Sequence, residues 1–346
     1  MAPTIHDVAR LAEVSIKTVS NVLNDYPHVR PATKQRVLDA IATLGYTPNL
    51  TARGLRSGRT GLISLVIPDL RNAYFAELAD TVMRAAEAQG LSVVIAQSGG
   101  ERERELDLLR GTRARMVDGI LFSALALGEQ DHDVLAAVPR PLVLLGERVL
   151  HGPTDHVTMR NTEGARAATA HLLDQGRRRL VALGTTTGPA PGSAALRLEG
   201  YRQAHAAAAV PVDPALVVGV DGWFRSTGAA AVRDALSRGL TFDGVVAFND
   251  ALALGAMRVL QEAGRRVPED VALIGFDDLD ETRYSLPTLS TVDPGRQEIA
   301  EVAVRYLKER IDAGSAELPP RDHLTAFRVV VRESSSPVVA GATRPA

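Results

Sequence analysis

The 346-residue chain contains no cysteine, which removes disulfide frameworks and thiolate metal sites from consideration. No apolar run approaches the roughly 18 residues that a membrane-spanning helix needs. The N-terminus lacks the basic-then-apolar pattern of an export signal, so the cytoplasm is the expected compartment. Lysine is almost absent: Lys17, Lys34 and Lys308 are the only ones among 39 basic residues, the mark of a GC-rich genome rather than of a mechanism. The sequence has no GxGxxG fingerprint, GxxxxGK[ST] loop, GxSxG elbow or HExxH pair, and its eight histidines are scattered. No catalytic residue, metal or cofactor is therefore expected, and the chain does not read as an enzyme.

What is present is an ordinary globular composition, 45% hydrophobic and 23% charged with a mean hydropathy of zero, long enough for two or three structural units. Charge is uneven along it. Residues 1–60 hold eight Lys/Arg against four Asp/Glu, a net +4 on a chain whose total is −2. A small basic head on an acidic body is expected where only one end approaches a polyanion.

The first 45 residues predict three short helices. Thr4 caps one to about Leu11, Glu13-Val14 makes a turn, Ser15 caps a second to Leu23, and Gly45 ends a third. Val8, Leu11, Val14, Val19, Val22, Leu23, Val37, Leu38, Ile41 and Leu44 form its apolar cluster. From residue 61 onward, apolar runs (62–67, 91–96, 119–124, 141–146, 180–184, 216–220, 244–248, 271–276) alternate with helical stretches such as 75–89 and 251–263. That pattern predicts parallel sheets covered on both faces, a doubly wound α/β architecture, and some 270 residues of it suggest two lobes. Ligands of such sheets lie beyond the carboxyl ends of strands.

The stretch TIHDVARLAEVSIKTVSNVLN (4–24) has what a helix-turn-helix needs: small Ala9 at the helix crossing, a short turn and a capped second helix. Its exposed positions Ile16, Lys17, Ser20 and Asn21 suit base contacts: lysine to guanine acceptors, asparagine to adenine, isoleucine to a thymine methyl. With the hinge-like YTPNLTARGLRSGRTGLISLVIPDL, FNDALALGAM and VPEDVALIGFDD, the chain resembles the lactose-repressor (LacI/GalR) family over nearly its whole length. The resemblance implies an N-terminal three-helix helix-turn-helix domain (1–46), a hinge (47–60) and a two-lobed, periplasmic-binding-protein-like effector and dimerisation domain (61–340). Its N-lobe would comprise about 61–160 and 293–322, its C-lobe about 161–292 and 323–340. It further implies a homodimeric repressor on a palindromic double-stranded DNA operator, controlled by a small-molecule effector, with no membrane partner. Phosphate or flanking contacts would come from Thr4, Ser15, Thr18, Asn24, His28, Arg30 and Thr33. Leu55 matches a leucine wedged into a central CpG step, flanked by Arg53 and Arg56. The tail SSSPVVAGATRPA lacks a leucine heptad, which favours a dimer over a tail-bundled tetramer.

For the effector, the resemblance implies contacts from Arg197, Trp223, Asn249 and Asp277, types that suit a polyol and favour a carbohydrate. Each also has a plainer reading: Trp223 as core, Arg197 as a surface charge, Asn249 as a helix cap, Asp277 as part of the solvated run DDLDE. Tyr74 and Phe75 match stacking positions of the purine-responsive branch, and Gln97 and Ser193 are further candidates. Two departures stand out. Arg160-Asn161 replaces a common Asp-Asn pair, and Gly146-Glu147 replaces an acidic residue followed by an aromatic or basic one. Arg160 would either pair with an acidic ligand or form a salt bridge with Glu147, and the second is favoured slightly.

Overall fold

The computed structural model describes residues 3–23, 26–46, 59–149, 151–186, 192–314 and 318–336. Contacts divide the chain into a head, Met1–Gly61, and a body, Leu62–Ala346. The head holds α1 (Ile5–Leu11), α2 (Ile16–Leu23) and α3 (Pro31–Leu44). Glu13, at φ +52°, turns the chain between α1 and α2, and Gly45, at φ +60°, ends α3. Val8, Ala9, Val19, Val22 and Val37 are the buried centre. Leu11 and Leu38, expected in that cluster, are instead 50% and 42% exposed. The alanines Ala12 and Ala40 are buried in that cluster instead.

The body runs β1 (Leu62–Ile67), α4 (Ala73–Glu87), β2 (Ser92–Gln97), α5 (Arg102–Arg110), β3 (Gly119–Ser123), α6 (His132–Ala136), β4 (Leu142–Leu145) and β5 (Asp155–Thr158). It continues with α7 (Asn161–Asp174), β6 (Leu180–Thr185), α8 (Ser193–Ala207), β7 (Val217–Gly219), α9 (Arg225–Ser237), β8 (Gly244–Ala247), α10 (Asp250–Glu262) and β9 (Ala272–Ile274). Last come β10 (Thr291–Asp293), α11 (Arg296–Ala313), β11 (Asp322–Leu324) and β12 (Arg328–Val330). Two sheets of parallel strands result, in the orders β11-β5-β4-β3-β1-β2 and β7-β6-β8-β9, with β10 and β12 paired antiparallel beside the second. Parallel strands need helical crossovers, and these cover both faces of each sheet. In the first lobe, Leu65, Leu121 and Val143 pack with Leu78, Val82 and Leu307, while Val66, Phe122 and Leu144 pack with Leu109 and Leu135.

The chain passes between lobes after β5, after β10 and after β11. Thr325, wholly buried, laces the three passages together: its N–H donates to the Thr158 carbonyl at 3.0 Å and its hydroxyl to the Pro294 carbonyl at 2.7 Å. The last crossing falls at 325–327, after β11 has joined the first sheet, and so slightly later than the boundary at 322 expected from the sequence. Among the described residues, no helix is long and apolar enough to cross a membrane.

Candidate functional site

In the head, Ser15 opens α2 by accepting the Thr18 N–H at 3.1 Å, and the two hydroxyls share a hydrogen bond of 2.9 Å. Thr4 gives both its N–H and its hydroxyl to Asp7, at 2.9 and 2.7 Å, and these bonds hold the Asp7 carboxyl below its ordinary range. With Val19 and Val22 buried, α2 turns Lys17 fully outward and leaves Ser20 and Asn21 half-exposed on the same side. Ile16 is shared, packing partly on the core. His28 is exposed beside Tyr26, Arg30 is the exposed residue just before α3 and Thr33 lies in the first turn of that helix. Asn24, Arg53, Leu55, Arg56 and, beyond Ser336, the tail read for oligomeric state lie outside the described residues.

In the body, the carboxyl ends of both sheets face one cleft of about 650 Å³. Asp69 and Tyr74 follow β1, Glu147 and Arg148 follow β4, Asp221 and Trp223 follow β7, Asn249 follows β8, and Asp277 follows β9. Tyr74 and Phe75 open α4 after Asn72, whose side chain accepts the Tyr74 N–H at 3.1 Å. Burial pushes the Tyr74 hydroxyl up, so it stays a neutral donor and acceptor. Asn249 caps α10 by accepting the Leu252 N–H at 2.8 Å and also lines the cleft, so capping and pocket roles coincide. Trp223 donates its indole N–H to the Gly184 carbonyl at 2.9 Å, which fixes the ring as a wall.

Arg197 is not a surface charge: it is 2% exposed. Its Nε donates to Asn161 at 2.8 Å, Nη1 to the Phe248 carbonyl, and its guanidinium lies 3.6 Å over the Phe276 ring. Asp277 stands 3.8 Å from it. Asp277 is buried as well, at φ +119°, with its carbonyl held by Arg296 at 2.8 Å. A left-handed aspartate held by its surroundings is strain of the kind found at binding sites. Burial pushes its carboxyl up to about 7, against the pull of Arg197 and Arg296. Behind it, Asp250 accepts from Thr291 at 2.6 Å and Leu279 N–H at 2.9 Å, and burial with Asp277 nearby raises it well above the ordinary range.

Residues 4–49 match the model of the bacterial regulatory proteins of the lacI family, and 169–335 match a periplasmic binding protein-like domain. The regulator CelR of Thermobifida fusca is 36% identical over 343 residues, 96% of this chain and 98% of that one. The chain belongs to the LacI family of bacterial regulatory proteins. A LacI-family protein structure from Sanguibacter keddieii DSM 10542 is 50% identical, covering 80% of this chain and 99% of its own, at a TM-score of 0.74. A CelR–cellobiose complex is 31% identical over 96% of this chain and 99% of its own, with a TM-score of 0.70.

Within this LacI-family cleft the structure gathers Tyr74, Phe75, Ser193, Arg197, Trp223, Asn249 and Asp277. Gln97 and Arg160 do not line it. The Gln97 side chain turns back to accept the Leu70 N–H at 3.1 Å. Arg160 precedes α7 and pairs with Glu163 at 3.2 Å, neither reaching Glu147 nor facing a ligand position, because an acidic partner lies nearer, one turn along its own helix. Glu147 instead reaches Ser193 across the cleft. Asp69, Ser123, Arg148, Thr158, Asp221 and Phe224 also line the cleft, though none is singled out from the sequence as a contact. Their position at or beyond the carboxyl ends of strands was the signal available.

Proposed function

We propose that this chain is a sequence-specific repressor that binds a palindromic operator as a homodimer and is controlled by a carbohydrate held between the lobes of its body. The observation that carries the reading is the convergence of Arg197, Trp223, Asn249 and Asp277, from four separate segments, on one cleft in a chain that also carries a helix-turn-helix head. The cleft volume of about 650 Å³ lies within the range of small-molecule sites. Carboxylate, amide and guanidinium groups beside an indole face suit adjacent hydroxyls on an otherwise apolar ring. The cellobiose held by CelR is a ligand of this class. Dimerisation has surface to use: Tyr284 and Leu286 are 80% and 77% exposed on the second lobe. Two heads related by a two-fold axis then read two half-sites about one helical turn apart.

The test is selection from a pool of random duplexes by the full-length protein, followed by binding at rising salt. An inverted repeat should emerge, its affinity should fall steeply with salt, and Asn21→Ala should relax preference at one position of each half-site. Recovery of no common sequence, or a flat salt response, would dismiss the reading.

A further inference from the structure

Glu147 leaves β4 on the first lobe, yet its carboxylate serves the second. Its Oε1 accepts the Ser193 backbone N–H at 2.7 Å and the Ser193 hydroxyl as well. Ser193 is the first residue of α8, a helix of 15 residues whose N-cap, Gly192, has no side chain to offer. The start of such a helix carries unsatisfied N–H donors and a partial positive charge, and so attracts an anion. Here the chain supplies the anion itself. The aim of Glu147 is fixed from behind: Gly146 adopts φ +93°, where glycine is favoured, and its carbonyl accepts from Nε2 of the buried His156. Arg148 stands beside the same helix end, its Nη1 3.5 Å from where a Gly192 side chain would begin.

Apart from Arg148, the rest of the wall is acidic or has its cations already engaged. Asp221 and Asp277 face the cleft, Arg71 is clamped by Asp69 at 3.0 and 2.6 Å, and Arg197 is engaged by Asn161 and the Phe248 carbonyl. Thr158 also lines the cleft, with its hydroxyl buried and without a hydrogen-bond partner among the described residues.

We propose that Glu147 is a specificity-determining residue whose carboxylate occupies the anion position at the start of α8, so that the cleft accepts neutral polyols and rejects their acid and phosphate counterparts. This rests on reading the cleft as the effector site. A neutral hydroxyl can donate to Glu147, whereas a ligand carboxylate or phosphate meets a like charge there, a repulsion of tenfold or more in affinity at about 4 Å. Because Glu147 and Ser193 lie on opposite lobes, the same contact also favours the approach of the lobes.

The test is calorimetric titration of the full-length protein with matched pairs: glucose and gluconate, cellobiose and cellobionate, ribose and ribose 5-phosphate. The wild type should bind the neutral member of its preferred pair at least tenfold more tightly. Glu147→Gln keeps an acceptor for Ser193 while removing the charge. It should narrow the ratio at least tenfold, chiefly by gaining affinity for the anion. Glu147→Ala should narrow it likewise and serves if the glutamine variant does not fold. An unchanged ratio in a folded variant, or a wild type that prefers the anion, overturns the role of Glu147 alone. If no sugar of either charge binds wild type or variant, the carbohydrate reading falls and this proposal with it.

Discussion

Asp277 and Arg197 form the most buried charged pair of the cleft, and burial acts on them in opposite senses, raising the carboxyl and lowering the guanidinium. An aspartate pushed from 3.8 up to about 7 makes folding depend on pH in a definite direction. Below about pH 4 both folded and unfolded chains hold the proton. Between there and 7 only the folded chain does, so its stability falls as pH rises and levels off above the folded value. The unfolding free energy of the wild type minus that of Asp277→Asn should therefore decline from pH 5 to 7 and flatten by pH 8; a difference that rises over that window would contradict the placement of Asp277. Arg197→Ala leaves Asp277 and the Phe248 carbonyl without their partner and should cost about 3 kcal/mol in urea unfolding. At this scale the sequence was legible where a residue directly follows an apolar strand, as Asn249 and Asp277 do. It misled at Arg160, where a departure from a family motif drew attention to the cleft while Glu163, three residues on, already offered the simpler partner.

Among the elements, the eight apolar runs are the eight strands β1–β4 and β6–β9; a strand buried on both faces must be apolar throughout, and the edge strands β2 and β7, only partly buried, share the pattern. Strand β5, with sequence DHVT, escaped that rule although it is buried. Its polar groups are satisfied from far along the chain: Asp155 takes Arg310 at 2.7 Å and Arg321 at 2.8 Å, and His156 faces Asp322 at 3.2 Å. No local pattern reports partners more than 150 residues away. The crossovers between lobes were likewise absent from any local pattern and came only from the family resemblance, and they are tightly built. Gly295 lies at φ +78°, and a Cβ there would sit 2.7 Å from the Ala326 carbonyl oxygen. Gly295→Ala should thus destabilise the protein by about 1–3 kcal/mol, read as a lower urea midpoint with an unchanged slope. A midpoint equal to wild type would show that the crossovers yield more easily than their packing implies.

For the whole molecule, a basic head and an acidic two-lobed body are coupled only if the state of the cleft alters DNA affinity. Deleting residues 1–60 should abolish DNA binding while leaving the effector's thermal shift in place, since the body is a separate compact unit. Coupling itself is a free energy that both ligands must report equally. The decisive measurement is a thermodynamic cycle on the full-length protein: the dissociation constant for the selected operator with and without saturating sugar, and that for the sugar with and without saturating operator. The account predicts that the two ratios are equal and differ from one by at least fivefold, and that Asp277→Asn drives both toward one. Tight binding of both ligands with ratios of one would contradict it, leaving a DNA-binding protein and a sugar-binding protein that merely share a chain.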